Sequence, residues 1–205
     1  DGPGKPLKLM IAPIREHIPI YLAAIGPKNL ELAGELADGW LAIFYAPEFA
    51  PEQLERVRSG RALVGKSLDG FDVVPSVPLV IGADSRSCAD QVRGYAALYL
   101  GGMGSRERNF YNELAVRMGF DEAAAVVQDL FLSGRQRDAM AAVPFEFIDQ
   151  TSLLGDRDRI AERLQMLAAS GVTTCALAPH GGSVEEKLNS LTVAAEALER
   201  SGVWP

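Results

Sequence analysis

Short apolar runs alternate with amphipathic stretches along most of this chain. Ile18 to Ala24 (IPIYLAA) is the first run. Ile18, Ile20, Leu22 and Ala24 share one face and Pro19 and Tyr21 the other, which predicts a buried strand. The run stops at Gly26-Pro27, and Pro27 suits the first turn of a helix, where its missing N–H has no partner to lose. The helix PKNLELAGELAD puts Leu30, Ala33, Leu36 and Ala37 on one stripe, with Gly39 as its stop. Trp40 to Tyr45 predicts a second strand, and Glu48 to Val64 a second helix carrying Leu54, Val57 and Leu63. Phe71 to Ile81 predicts a third strand. Pro75 and Pro78 cannot donate to a ladder, so this strand is expected to be bent or only partly paired.

A helix from Ser85 to Leu100 comes next. Residues 101–143 show no strand pattern and predict short helices at Asn109 to Met118, Asp121 to Leu132 and Arg135 to Ala142. Gly155 to Ser170 predicts a helix with Ile160, Leu164 and Leu167 on one stripe, and Val172 to Ala178 a fourth strand. Ser183 to Arg200 closes the chain with a helix opened by the capping box Ser183-Val184-Glu185-Glu186. Strands that alternate with helices pair in parallel, which predicts an α/β fold. Two architectures fit: an open doubly wound sheet, or half of an eight-stranded barrel. The expectation is one domain over residues 1–205 with a helical insert at 101–150. Four parallel strands alone leave bare edges that need covering.

Composition narrows the function classes. Lys plus Arg number 20 against 27 Asp plus Glu, a net charge of −7. Such a chain lacks the basic face that phosphate backbones or anionic membranes require, so no nucleic acid and no membrane partner is expected. Cys88 and Cys175 are the only cysteines and form no CxxC motif. That usage suits a reducing, cytoplasmic setting. No apolar run approaches the roughly 18 residues of a membrane span, and no signal peptide is visible. The chain opens on Asp1 rather than Met, which raises the expectation of a processed or truncated polypeptide.

In both architectures ligands bind beyond the carboxyl ends of the strands. The first such loop, Ala23-Ala24-Ile25-Gly26-Pro27-Lys28, is a candidate anion site. Small residues admit a ligand to the backbone, the following helix supplies unpaired N–H groups, and Lys28 adds a charge. An ordinary tight strand-to-helix turn explains the same residues. Gly26→Val is expected to damage phosphate binding by blocking backbone approach and by disfavouring φ > 0. The loops Tyr45-Ala46-Pro47-Glu48 and Gly82-Ala83-Asp84-Ser85 share the topology. Pro179-His180-Gly181-Gly182-Ser183 offers similar physics, with His180 as a general-base candidate or plain polar surface.

His17 and His180 form no metal-ligand spacing, so no metal is expected. No GxSxG, GxxxxGK[ST] or GxGxxG motif occurs. Gly101-Gly102-Met103-Gly104 follows a helix rather than a strand and reads as a helix end. Arg106, Arg108, Tyr111, Asn112 and Arg117 cluster beyond it, either lining a pocket or forming a solvated face, with the solvated face preferred.

The segment IPIYLAAIGPKNLELAGELADGW resembles the bacterial luciferase-like monooxygenase superfamily, in particular its coenzyme F420 (deazaflavin)-dependent oxidoreductases. GMGSRERNFYNELAVRMGF and LLGDRDRIAERLQMLAASGVTT resemble the same family, so the likeness runs from Lys5 to Val203. The resemblance implies a (β/α)8 TIM barrel of which this chain supplies the last four strands plus a helical insert. It implies that the loop after the fifth barrel strand holds the cofactor phosphate through backbone groups, here Ala24, Ile25, Gly26 and Pro27 with Ala23 just behind. The implied activity is hydride transfer between coenzyme F420 and a small organic substrate, with FMN as the alternative cofactor. The family's acid–base residues and most ring contacts lie in an N-terminal portion absent from this sequence, so the catalytic residues stay unknown. A non-catalytic half-barrel is the third reading, covered by a homo-oligomeric partner or by the missing half. An unrelated phosphate-binding enzyme using the Gly181-Gly182-Ser183 loop is the fourth.

Overall fold

The computed structural model describes Gly4, residues 10–12 and residues 14–203. The opening segment around Asp1 lies outside the described residues. Five parallel strands form one sheet: β1 (Tyr21–Ala23), β2 (Gly39–Ile43), β3 (Asp72–Ile81), β4 (Leu153–Gly155) and β5 (Ala176–Pro179). Strand β3 is central. It pairs with β2 over Asp72–Ser76, with β4 over Leu79–Ile81, and with β5 over Ser76–Leu79. Helices α1 (Pro27–Leu36), α2 (Ala50–Leu63), α9 (Arg157–Ala169) and α10 (Val184–Ser201) pack on one side of the sheet. Trp40, Leu30, Val57, Leu79, Leu153 and Ile160 form the core between them.

The third strand corrects the sequence reading: ten residues run without a break despite two prolines. The ladder explains this. Asp72 donates to Asp38 toward β2, whereas the Val73 and Leu79 carbonyls accept from Thr173 and His180 toward β5. By the two-residue alternation Pro75 faces the β5 side, just before β5 begins opposite Ser76. Pro78 faces the other side, in the gap between the end of the β2 register at Ser76 and the start of β4 at Leu79. Each missing N–H falls where no partner strand asks for it. The fourth expected strand is shorter than Val172 to Ala178, because Thr173 meets Val73 through its side chain before regular pairing starts.

Strand β1 is also shorter than expected. Ile18 and Ile20 precede it and are exposed, and Ile20 is held by Asp38 through its own N–H and carbonyl. The Ser85 helix breaks into α3 (Ser85–Asp90), α4 (Arg93–Ala97) and a π-helical turn at Leu98–Gly102. The expected insert helices appear as α5 (Phe110–Arg117), α6 (Asp121–Leu132) and α7 (Gln136–Ala142). Helix α8 (Phe145–Gln150) and strand β4 were not foreseen. The insert has its own core, in which Phe44, Leu100, Leu114, Val127, Phe147 and Ile148 are buried. Gly101 and Gly102 lie against Phe131, with no room for a Cβ.

The face of the sheet away from the helices is different. Register rows join Ala23 to Leu41 and Val74, and Ile43 to Ser76 and Ala176. Ala23, Leu41, Ser76 and Ala176 in these rows are exposed. Parallel sheets normally have both faces covered.

Candidate cofactor-phosphate site

Strand β1 ends at Ala23, and helix α1 begins four residues later at Pro27. Two side chains from other elements hold the carbonyls in between. The buried Trp40 Nε1 donates to the Ala24 oxygen at 2.9 Å, and Arg117 Nη2 of α5 donates to the Ile25 oxygen at 2.9 Å. The N–H groups of Ile25 and Gly26 have no protein partner among the described residues. Helix geometry leaves those of Lys28 and Asn29 equally free, since the first intrahelical bond runs from Leu30 to Gly26. No side chain caps α1, and no acidic residue lies in its first turn. Four donors, the positive end of a helix and the exposed Lys28 therefore share one loop, an arrangement suited to a phosphate.

Gly26 corrects part of the expectation. Its φ of −77° and ψ of 153° are extended, not left-handed. A residue before proline is pushed into that region by the proline ring, so any L-residue tolerates the backbone. A Cβ here would meet nothing within 4 Å. Gly26 matters for the open approach it leaves, not for a special conformation.

The starts of α3, α9 and α10 are already occupied. Asp84 accepts from the Arg86 and Ser87 N–H groups at the head of α3, and Asp156 accepts from Arg159 at the head of α9. At α10, Glu186 Oε2 accepts from Gly182 N at 2.6 Å and Ser183 N at 3.2 Å, while Ser183 Oγ accepts from Glu186 N. The Gly181-Gly182-Ser183 loop thus presents its donors to an internal carboxylate, which weakens the reading that it holds an external phosphate. Glu48 is likewise engaged, 2.8 Å from the buried Arg163.

The Arg106 to Arg117 cluster divides. Arg106 pairs with Asp129 at the surface. Asn109 Nδ2 and Asn112 Nδ2 both donate to the Leu100 carbonyl, and Asn109 also to that of Tyr99, satisfying oxygens of the π-helical turn. Tyr111 instead packs against Phe44 and Tyr99, and Arg117 donates to the Ile25 carbonyl, so the solvated-face reading fails for them. The signal was available only as an aromatic and basic residue six apart on one helix.

Phe44, at the end of β2, has a φ of 50°, a strained value for a bulky side chain. Its ring is packed among Tyr95, Tyr99, Tyr111 and Phe147. The Tyr99 ring lies 4.7 Å from those of both Tyr95, tilted, and Tyr111, edge-on, and Tyr95 meets the His180 ring edge-on. Burial, with the nearby Tyr99 adding to it, pushes the Tyr95 and Tyr111 hydroxyls up, so both stay protonated donors at neutral pH. Burial likewise pushes the Cys175 thiol up to about 11.

Burial holds the His180 pKa below its ordinary value, Lys187 adds to this, and a backbone hydrogen bond with Gln91 opposes it. An unfolded histidine titrates near about 6.5. Between that value and the lower folded one, the unfolded chain binds more protons, so stability falls as pH falls through this window. Urea unfolding at about pH 7.5 and about pH 5.5 will show a smaller loss in His180→Gln than in the parent.

The opposite ends of the strands are tied for stability. Asp72 accepts from Tyr21 Oη at 2.6 Å and from Thr173, and these bonds hold its carboxyl below the usual range. Asp38 is lowered chiefly by the Ile20 N–H, with His17 assisting. Among the described residues no group of three metal-ligating side chains forms, and no helix is long and apolar enough to cross a membrane.

The geometry defines a parallel α/β protein with an uncapped helix start, rich in unpartnered N–H groups, at the carboxyl end of its first strand. Residues 3–174 match the luciferase-like monooxygenase family, and the chain belongs to that family. It is 37% identical to Rv3520c of Mycobacterium tuberculosis, whose assignment as a coenzyme F420-dependent oxidoreductase is itself inferred, over 90% of this chain and 53% of that protein. It is 32% identical to the 5,10-methylenetetrahydromethanopterin reductase of Archaeoglobus fulgidus, over 76% of this chain and 46% of that one. The fold is similar to that of the coenzyme F420-dependent tetrahydromethanopterin reductase of Methanopyrus kandleri, with a TM-score of 0.71 at 24% identity, covering 89% of this chain and 51% of that one. The chain spans about half the length of the relatives it matches.

Proposed function

We propose that this chain is part of an oxidoreductase that transfers a hydride between coenzyme F420 and a small organic substrate. The observation that carries this is the set of four unpartnered N–H groups at Ile25, Gly26, Lys28 and Asn29, in a chain whose curated relatives include F420-dependent enzymes. The donor set suits a phosphate monoester or diester, the group by which a deazaflavin or FMN is anchored. When bound, such a cofactor supplies the redox chemistry. The residues here bind and orient it. The loop donors hold the phosphate, and Lys28 adds a charge. Phe44, Tyr95, Tyr99 and Tyr111 form an apolar wall that excludes water beside the loop. The Tyr95 and Tyr111 hydroxyls, kept protonated by burial, are donors toward a substrate oxygen.

The same reading makes the five strands part of a (β/α)8 barrel. Its support is the uncovered sheet face carrying Ala23, Leu41, Ser76 and Ala176, small or apolar residues suited to a barrel interior. The remaining strands, or a partner copy, would cover that face. The setting in this reading is cytoplasmic, consistent with two free thiols. Fluorescence titration of the intact protein tests the proposal: F420 will bind more tightly than FMN and will be reduced or oxidised in turnover. Preference for FMN would replace the cofactor. Binding of neither would overturn the reading.

A further inference from the structure

We infer that Arg117 is the positioning residue of the phosphate loop, orienting the Ile25–Gly26 peptide and polarising it so that its N–H is presented to the bound phosphate. This rests on the phosphate reading of that loop. Arg117 sits in the last turn of α5, 92 residues along the chain from the carbonyl it holds. Among the described residues no cis peptide bond is present. In a trans peptide the C=O and N–H point in opposite directions. Fixing the Ile25 oxygen on the insert therefore aims the Gly26 N–H away from the insert, and that N–H has no protein partner among the described residues. A cation on the carbonyl end also polarises the peptide and strengthens the donor at its other end.

The charge of Arg117 is the second observation. Its side chain is half-buried, yet among the described residues it forms no ion pair. Arg163 and Arg159 are paired with Glu48 and Asp149, and the unpaired Arg61 lies over the Phe71 ring and donates to the Ser67 carbonyl. A partly desolvated guanidinium without a counter-ion is unfavourable, and an anion at the start of α1 would relieve it. The insert thereby becomes part of the cofactor site, although it contributes no residue to the loop itself.

The test uses a deazariboflavin and its phosphate ester as probes, titrated into the intact protein and its Arg117→Met and Arg117→Lys variants. In the parent the ester will bind at least tenfold more tightly than the free riboside. Arg117→Met will lower ester affinity at least tenfold and leave riboside affinity within twofold, and Arg117→Lys will recover part of the difference. A purely structural role would lower both affinities together, which would overturn the inference, as would an unchanged ester-to-riboside ratio in both variants. If Arg117→Met does not fold, the ratio in Arg117→Lys decides: a ratio equal to the parent's overturns the inference, and a reduced one supports it. A parent that shows no preference for the ester defeats the phosphate reading of the loop itself.

Discussion

Gly26→Val will weaken binding of the phosphorylated cofactor about 100-fold while leaving the protein folded. The backbone at Gly26 is extended, and an added Cβ meets no atom within 4 Å. The folding cost is then that of a poor N-cap residue, about 0.5–1 kcal/mol. The binding cost is larger. The valine methyls fill the open approach to the Gly26 N–H and crowd that of Lys28. Hydrogen bonds to a charged group contribute about 1.5–3 kcal/mol each, and losing two of them at the lower figure corresponds to about 100-fold. Isothermal titration and urea unfolding on the same sample separate the two effects. A stability loss above about 2 kcal/mol with unchanged affinity would make Gly26 a turn residue only.

Gly60→Ala will destabilise the fold by about 3 kcal/mol, the upper end for overpacking, and lower the unfolding midpoint by roughly 6–12 °C. Helices α1 and α2 touch backbone to backbone at two reciprocal points. A Cβ on Gly60 would overlap the Glu31 carbonyl of α1, and a Cβ on Gly34 would overlap the Val57 carbonyl of α2. Neither obstacle is the end of a flexible side chain, so the helices must separate. Gly34→Ala will act in the same direction. Gly65 is the control: it has open space but a φ of 69°. Gly65→Ala will cost only about 1 kcal/mol of backbone strain. A Gly60→Ala protein within about 0.5 kcal/mol of the parent would refute this close packing.

Much of the site loop was legible before the structure. Gly26-Pro27 after an apolar run marks a strand end and a helix start, and both are found there. The positive φ expected of Gly26 was wrong, because Pro27 already dictates an extended residue before it. The Gly181-Gly182-Ser183 loop looked equally able to bind an anion. Its Ser183-x-x-Glu186 spacing carried the answer, since the glutamate that completes a capping box also consumes the donors. Arg117 was visible as a residue but not as a partner of Ile25. A contact spanning 92 residues leaves no periodic trace.

The local pattern of this chain by itself determined the parallel α/β class, the order of its main elements and the α1 helix start. Those depend on side-chain period, proline and caps, which act over a few residues. Tertiary structure alone decided that β3 runs unbroken through Pro75 and Pro78, because only the neighbouring strands define where a missing N–H goes unneeded. It alone joined Phe44 to three tyrosines, Tyr95 to His180, and the insert to the loop before α1. Those contacts depend on how distant segments meet, which the spacing of residues within a segment does not encode.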